Sequence, residues 1–287
     1  MQYRTRQLAA ALAAVVLVAG CGGGGDDTAS QPAAVILATT TSTQDSGLLD
    51  VLVPVFEKQS GAEVKTVAVG SGQAIEMGAR GEADVVLVHS PAAEEEMVAD
   101  GKGRNRRIVM HNDFVIVGPA TDPAQIRGAS ATAAMARIAR SKAPFVSRGD
   151  DSGTNAFELK LWDKAGVTPK GSWYQESGQG MGATLQIAAD KDAYTISDRG
   201  TYLATDSARD LKLLVEGGSP LLNVYHVIEI PKTNGPRVNT KGGDAFADWI
   251  VSPPAQEMIG TFGVEKYGEP LFTPDAGKTD DQIAEAA

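Results

Sequence analysis

Short apolar runs alternate along the first part of the chain with segments in which apolar positions recur every three or four residues. The runs at 36–39, 64–69 and 83–88 read as strands, and the segments 47–59 and 74–80 between them carry the helical period. The five apolar residues that define one face of the first helix are Leu48, Leu49, Leu52, Val55 and Phe56. The order βαβαβ predicts a parallel sheet flanked by helices.

A second alternating unit follows, with strands predicted at 145–147 and 193–197 and helices at 154–165 and 181–190. Two apolar strands, 114–118 and 222–230, each end at a proline and are interpreted as crossings between two lobes. Helices predicted at 243–251 and 254–263 return the chain to the first lobe, and the polar stretch after Pro274 is expected to fray. We therefore expect an α/β fold in which lobe I spans 35–116 and 226–287 and lobe II spans 117–225.

The N-terminus predicts export. Arg4 and Arg6 precede an apolar run, Leu8–Val18, that is too short to span a membrane stably and has the flanks of a secretory signal. The run ends in Leu-Val-Ala-Gly-Cys, which resembles the bacterial lipobox and implies that residues 1–20 are removed and that Cys21 is lipidated. Cys21 is the only cysteine in the sequence, so no disulfide framework is expected. Residues 21–34 are rich in Gly, Ser and Asp and predict a flexible tether.

The charge of the chain excludes some partners. The formal net charge is −10, and removal of Arg4 and Arg6 with the signal changes it to −12. An acidic chain of this kind is not expected to bind nucleic acid or to carry a polybasic membrane patch. Anion binding is not excluded, because a buried site responds to its own N–H groups and arginines more than to a net charge that salt screens over about 8 Å.

The residues with the clearest chemistry lie where predicted strands end and helices begin. Thr40, Thr41 and Ser42 follow the first strand, and Ser71 follows the second in a Gly-Ser-Gly turn. In a parallel sheet both segments reach the same edge, where ligands bind. Helix N-termini leave backbone N–H groups without partners and carry partial positive charge, so small hydroxyl side chains beside them suit an oxyanion.

The predicted second lobe carries a matching segment, 147–155. Arg148 offers a fork of charged donors, and Ser152, Gly153 and Thr154 present hydroxyl and N–H groups at a helix start. Each segment alone is equally consistent with an ordinary N-cap, but two of them in two lobes predict two halves of a cleft. A glycine-rich turn, 177–184, is a weaker candidate, and Arg199 either reaches the same cleft or pairs locally with a carboxylate.

These motifs resemble those of tungstate-binding receptors of ABC importers. The resemblance rests on 38–47, with its Thr-Thr-Thr-Ser run, and on 147–154, 69–74, 178–182 and 197–202. It implies a two-lobed periplasmic binding protein fold (type II-like) that closes over tungstate or molybdate and delivers it to an ABC permease. It further implies a monomeric receptor without a cofactor, held by lipid on Cys21 at the periplasmic or extracellular face. The binding residues expected from the motifs are Thr40, Thr41, Ser42, Ser71, Arg148, Ser152, Gly153 and Thr154, with Arg199 as an additional candidate.

Two alternatives stay open at this stage. A phosphate receptor would benefit from a carboxylate acceptor because phosphate retains a proton near neutral pH, and Asp150 or Asp151 is a candidate for that acceptor; a sulfate receptor, like a tungstate receptor, needs donors only. We expect both carboxylates to cap a helix or pair with Arg148 instead. A phosphoryl-transfer hydrolase with Ser152 as nucleophile is the distant alternative, because the three histidines are scattered and metal-ligand spacings are absent from the sequence. The chain is therefore predicted not to be an enzyme.

Overall fold

The computed structural model of the protein describes residues 34–208, 210–218 and 221–286. The predictions of a signal peptide at 1–20, a lipidated Cys21 and a tether up to residue 34 lie outside these residues, apart from Ala34 itself. Within the described ranges, none of the helices combines the length and the apolar character needed to cross a membrane.

Strands and helices alternate along the described chain. The strands are β1 (Val35–Thr40), β2 (Val64–Val69), β3 (Val85–Val88), β4 (Arg104–Pro119), β5 (Phe145–Ser147), β6 (Tyr174–Glu176), β7 (Thr195–Asp198), β8 (Leu211–Val215), β9 (Leu222–Glu229) and β10 (Thr273–Pro274). The helices are α1 (Thr41–Asp45), α2 (Leu48–Ser60), α3 (Ser71–Ala79), α4 (Pro91–Ala99), α5 (Ala131–Ser141), α6 (Gly153–Lys164), α7 (Met181–Asp190), α8 (Arg199–Ala204), α9 (Thr240–Ile250), α10 (Pro253–Thr261), α11 (Val264–Tyr267) and α12 (Asp280–Ala286).

The first lobe is built on strands in the order β10-β4-β9-β3-β1-β2. β1 pairs in parallel with β2 and β3, which confirms the predicted βαβαβ unit. β9 pairs antiparallel with both β3 and β4, so the sheet is mixed. The predicted apolar face of α2 is buried: Leu52 and Phe56 are at most 2% exposed, and the Phe56 ring meets Phe246 of α9 edge-on at 5.1 Å. Burial of two such side chains contributes about 1.5–3 kcal/mol each.

β4 links the two lobes. Its first part, up to Asp113, pairs with β9, and from Phe114 onward it pairs with β7 and β8 of the second lobe. The second lobe also contains the parallel pair β5 and β6, with α5 and α6 packed over a core that includes Phe145 and Trp162. From Leu222 onward, the pairings of β9 within the described residues are with first-lobe strands, so β9 is not itself a crossing strand as interpreted from the sequence; the chain returns between β8 and β9. The lobe boundaries at 117 and 225 stay predictions.

Two of the predicted segments differ clearly from the structure in extent or order, and α5 and β8 were not predicted from the sequence. β4 begins at Arg104, ten residues before the predicted strand at 114, because its first part is rich in arginines that pair with carboxylates on other elements. Arg104, for example, pairs with Asp244 at 2.6 Å. A strand prediction based on apolar residues does not recognise a segment rich in charged residues of this kind. The stretch after Pro274 is ordered, contrary to the prediction of fraying: α12 buries Ile283, which is 1% exposed.

Candidate functional site

The carboxyl ends of three parallel strands meet at one edge of the first-lobe sheet. The register pairs Thr40 with Val69 on β2, and Thr39 with Leu87 on β3. Ser71 and His89 each follow two residues after those partners, so the parallel pairing brings residues from three separate loops to one place. The prediction from sequence had considered only the first two loops.

The turn between β1 and α1 folds back on itself through hydroxyl groups. Thr40 is the N-cap of α1, and its Oγ1 accepts from the backbone N–H of Thr43 at 3.2 Å. The same oxygen lies 3.1 Å from Ser42 Oγ and 2.7 Å from Thr43 Oγ1. Thr40, Ser42 and Thr43 are at most 2% exposed. These hydroxyls are therefore fixed in direction by one another.

The second lobe supplies the segment between β5 and α6. Ser152 is the N-cap of α6 and accepts from the Asn155 N–H at 3.2 Å, so the N-cap interpretation of this residue is correct. Arg148 directly follows β5 and is 3% exposed. Gly153 and Thr154 form the first turn of α6, where backbone N–H groups lack partners within the helix.

Arg148 connects the two lobes and is held by a carboxylate. Its Nη2 donates to Thr41 Oγ1 at 3.2 Å and to Asp150 Oδ2 at 2.5 Å. The other Asp150 oxygen accepts from the Ser152 N–H at 3.3 Å. Asp150 thus pairs with Arg148, as expected from the sequence, and both of its oxygens are engaged. The Asp151 side chain is exposed.

The loops of the two lobes touch each other closely at two glycines. A Cβ on Gly70 would lie 3.5 Å from the Asp150 carbonyl oxygen, and a Cβ on Gly153 would lie 2.9 Å from both His89 Nδ1 and Ser90 Oγ. Real Cβ atoms do not approach neighbouring atoms as closely as 2.9 Å, so Gly153 permits the contact between α6 and the β3 loop. The first-lobe and second-lobe segments therefore form one enclosed arrangement.

Three buried donors in this arrangement have no hydrogen-bond partner among the described residues. They are Ser71 Oγ, Thr154 Oγ1 and Arg148 Nε. Ser71 and Thr154 are each 1% exposed. A buried polar group left without a partner costs about 1–3 kcal/mol, so three of them from two lobes are unusual unless a ligand completes them. All three donate, which matches a ligand that only accepts.

Arg199 lies in a different arrangement from the other predicted binding residues. Its Nε and Nη2 donate to the two oxygens of Asp113 at 2.7 Å and 2.8 Å, and Nη2 also donates to Glu216 at 2.7 Å. The local ion pair considered as the alternative is the one that the structure contains. The side chain of Arg199 is thereby committed to carboxylates, and we leave it out of the proposed binding set.

The glycine-rich turn at 177–184 meets the first lobe. Gly180 is the N-cap of α7, and a Cβ there would lie 3.3 Å from Thr41 Oγ1. The Asp45 carboxylate accepts from the backbone N–H of Gly182, while burial raises the pKa of Asp45. The N-terminus of α7 is thus capped by a side chain from the other lobe, and this turn acts as an interlobe contact.

His89 is the residue at the site that the sequence prediction missed. It is 5% exposed, its Nε2 lies 3.4 Å from Ser42 Oγ, and its ring centroid is 4.7 Å from that of Tyr225. Burial, together with the positive charge of Arg148, lowers the pKa of His89 to about 3, so the ring is neutral near pH 7. The sequence could have indicated His89 as a site residue, because it follows the third parallel strand, which ends at the same sheet edge as the first two.

The two lobes and the donors that converge between them define a two-lobed solute-binding protein. A model of the PBP superfamily domain matches residues 27–254, and the chain belongs to this superfamily. Among the described residues, no group of three or more His, Cys, Asp or Glu side chains is placed to hold a metal ion.

Comparison with individual relatives indicates which members of the superfamily the chain is similar to. The chain is 51% identical over 240 residues to the tungstate-binding protein TupA of Peptoclostridium acidaminophilum, which covers 83% of this chain and 84% of the relative. It is 52% identical over 241 residues to a putative ABC transporter anion-binding protein of Haloferax volcanii, covering 82% of this chain and 70% of the relative. The solved structure of the tungstate ABC transporter from Geobacter sulfurreducens is 45% identical, with a TM-score of 0.73, and covers 79% of this chain and 98% of that one. The predicted family resemblance and the predicted fold class are confirmed.

Proposed function

We propose that the chain is the receptor of an ABC importer that binds tungstate, and molybdate with it, between its two lobes and delivers the anion to a membrane permease. The observation that carries the proposal is that Ser71 Oγ, Thr154 Oγ1 and Arg148 Nε are buried donors with no partner among the described residues. They come from one loop in each lobe, the β2–α3 turn and the β5–α6 segment, and a tetrahedral oxyanion offers four acceptor oxygens to such donors. The relatives named for tungstate support the choice of ligand.

The donor set favours an anion that carries no proton. Asp150 is held by Arg148 on one oxygen and by the Ser152 N–H on the other, so its role in the structure is to pair with Arg148 and the helix start, and no carboxylate among the described residues of these loops is placed primarily to accept a hydrogen bond from hydrogen phosphate. Tungstate, molybdate and sulfate are fully ionised near neutral pH and require donors only. Phosphate is therefore the weaker alternative, and sulfate must be distinguished by the size of the tetrahedron.

Binding is proposed to proceed with closure of the lobes. In the open form the first lobe presents Ser42 and Ser71 and the second lobe presents Arg148 and Thr154. The anion bridges the two half-sites, and closure removes it from water. The Arg148 bond to Thr41 and the packing of Gly153 on His89 are contacts that form only when the lobes meet. The fixed N–H groups and hydroxyls need little reorganisation, so they stabilise the charge at small entropic cost.

Calorimetric titration of the purified protein with tungstate, molybdate, sulfate and phosphate tests the proposal. We expect tungstate and molybdate to bind at least a hundredfold more tightly than sulfate or phosphate, which corresponds to about 2.8 kcal/mol. Tighter binding of phosphate, or the absence of binding to all four anions, would overturn it. The same preparation should release no phosphate from a phosphate monoester, since we propose a receptor and not a hydrolase.

The lipid anchor and the monomeric state belong to the same proposal and need separate tests. Replacing Cys21 with Ser should move the protein from the membrane fraction to the soluble extracytoplasmic fraction without changing its affinity for tungstate. Recovery of both forms in the same fraction would remove the anchor from the proposal. Light scattering after size exclusion should give the mass of one chain with and without tungstate.

A further inference from the structure

His89 lies between residues that the two lobes contribute to the proposed site. Its Nε2 faces Ser42 Oγ at 3.4 Å in the first lobe, and its Nδ1 faces the first residue of α6, Gly153, in the second. The side chain is 5% exposed, and Nδ1 has no hydrogen-bond partner among the described residues. We propose that His89 carries its proton on Nε2, donates it to Ser42 Oγ, and so directs the Ser42 hydroxyl hydrogen toward the bound oxyanion. This inference rests on the proposed function and assigns His89 as a positioning residue.

The hydrogens of the β1–α1 turn can be counted. Thr40 Oγ1 has two lone pairs and one hydrogen. It accepts from the Thr43 N–H at 3.2 Å and lies 2.7 Å from Thr43 Oγ1, so if the Thr43 hydroxyl donates, both lone pairs of Thr40 are used. The Thr40 hydrogen is then directed at Ser42 Oγ, 3.1 Å away. Ser42 receives this bond, and its remaining lone pair and its own hydrogen are left for His89 Nε2, for the Tyr225 hydroxyl, which also bonds Ser42, and for the ligand.

The protonation of His89 decides where the Ser42 hydrogen goes. If Nε2 lacked a hydrogen, it could only accept, and the Ser42 hydrogen would be directed to it rather than to the ligand. With the hydrogen on Nε2, the remaining lone pair of Ser42 is filled and the hydroxyl hydrogen is free. A site that binds an acceptor-only dianion gains one donor from this second arrangement.

The surroundings of Nδ1 favour the same tautomer. This nitrogen packs against Gly153 at the start of α6, a helix of 12 residues, where the unpaired N–H groups create positive potential. A lone pair is stabilised there, whereas an N–H would meet like polarity. The Asn223 side chain, which also bonds the ring, is the competing acceptor for a ring N–H. The bare nitrogen of the Nε2–H tautomer thus faces the helix N-terminus. The helix end therefore favours the tautomer that, in the count above, leaves the Ser42 hydrogen free for the ligand.

Two substitutions separate donation at Nε2 from simple packing. The amide of His89→Gln can place an N–H near the position of Nε2, whereas the shorter amide of His89→Asn reaches only the position of Nδ1. Both variants are neutral and polar. We expect His89→Gln to bind tungstate within about threefold of the wild type and His89→Asn to bind about tenfold more weakly, as for the loss of one hydrogen bond. Thermal unfolding without ligand serves as the control for packing.

The same pair in a Ser42→Ala background tests whether His89 acts through Ser42. There the difference between the Gln and Asn variants should disappear, because the hydroxyl that His89 positions is gone. Equal affinities of the two variants in the original background, or a difference that persists without the hydroxyl, would overturn the inference. Wild-type protein that binds none of the four oxyanions would instead overturn the proposed function.

Long-range proton–nitrogen NMR of the histidine rings gives a readout that does not depend on binding. In the ligand-free wild type it should show His89 as the Nε2–H tautomer, and the assignment should persist when tungstate is added. A ring protonated on Nδ1 would refute the inference even if every variant folded and bound as expected.

Discussion

Arg148 and Asp150 form a charge pair whose two members should affect anion binding in opposite directions. The guanidinium is 3% exposed, and its Nη2 lies 2.5 Å from Asp150 Oδ2. We consider Arg148→Gln alone and together with Asp150→Asn. The Asn side chain retains an oxygen for the Ser152 N–H, which Asp150 accepts at 3.3 Å.

The size of each effect follows from this geometry. Hydrogen bonds to a charged group contribute about 1.5–3 kcal/mol, so losing that of Arg148 should weaken binding by about 10- to 150-fold. The single variant also leaves the Asp150 carboxylate unpaired. An anion held by the same guanidinium would lie about 6 Å from that carboxylate, where repulsion amounts to about 3 kcal/mol per unit charge at an effective dielectric constant of 20. Arg148→Gln should therefore weaken tungstate binding by more than a hundredfold, and adding Asp150→Asn should restore at least tenfold.

Calorimetry of the two variants, checked for folding by circular dichroism, measures this directly. Arg199→Gln is the matched control, because Arg199 is a partly buried arginine whose donors are committed to Asp113 and Glu216. We expect its affinity for tungstate to stay within threefold of the wild type. Unchanged affinity in folded Arg148→Gln, or a double variant no better than the single one, would refute the assignment of Arg148 to the site.

Three further outcomes are expected. Ser71→Ala and Thr154→Val should each weaken tungstate binding about fivefold while leaving the ligand-free melting temperature unchanged or higher, because each removes a buried hydroxyl that has no partner among the described residues; a large loss of stability with normal binding would contradict this. Tungstate affinity should be constant between about pH 6 and pH 8, with no proton uptake or release in calorimetry across buffers of different ionisation enthalpy, since the pKa of His89 is about 3. The unfolded chain protonates His89 below about pH 6.5 and the folded chain does not, so stability from this residue is present above that pH and lost as the pH falls. From pH 7 to pH 5 the wild type should lose about 2 kcal/mol more in urea unfolding than His89→Gln, and equal losses would show that His89 is not held neutral.

The local pattern was sufficient for much of the fold. The strand at 64–69 and the helix at 181–190 coincide with β2 and α7, because the first is a short run rich in β-branched residues and the second has buried positions at the helical spacing of Met181, Thr184, Leu185 and Ala188. The first part of β4 was missed because its arginines hide the strand pattern. Their charges are compensated by carboxylates far along the chain, such as Glu229 for Arg107 at 2.9 Å. A local pattern does not contain that compensation.

The sequence by itself determined which loops are candidates for oxyanion binding: hydroxyl residues at the end of β1, Ser71 after β2, and the Arg148 segment before α6 all stand at strand-to-helix junctions, and their type and spacing can be recognised without coordinates. Only the tertiary structure decided which side chains are free to act. Arg148 and Arg199 look alike in sequence, yet Arg199 is engaged by Asp113, 86 residues away, while Arg148 keeps a buried Nε without a partner among the described residues. His89 joins Ser42 across 47 residues because parallel pairing of β1 and β3 places their ends side by side. Hydrogen-bond partners depend on how distant segments pack, and a single strand or helix does not encode that packing.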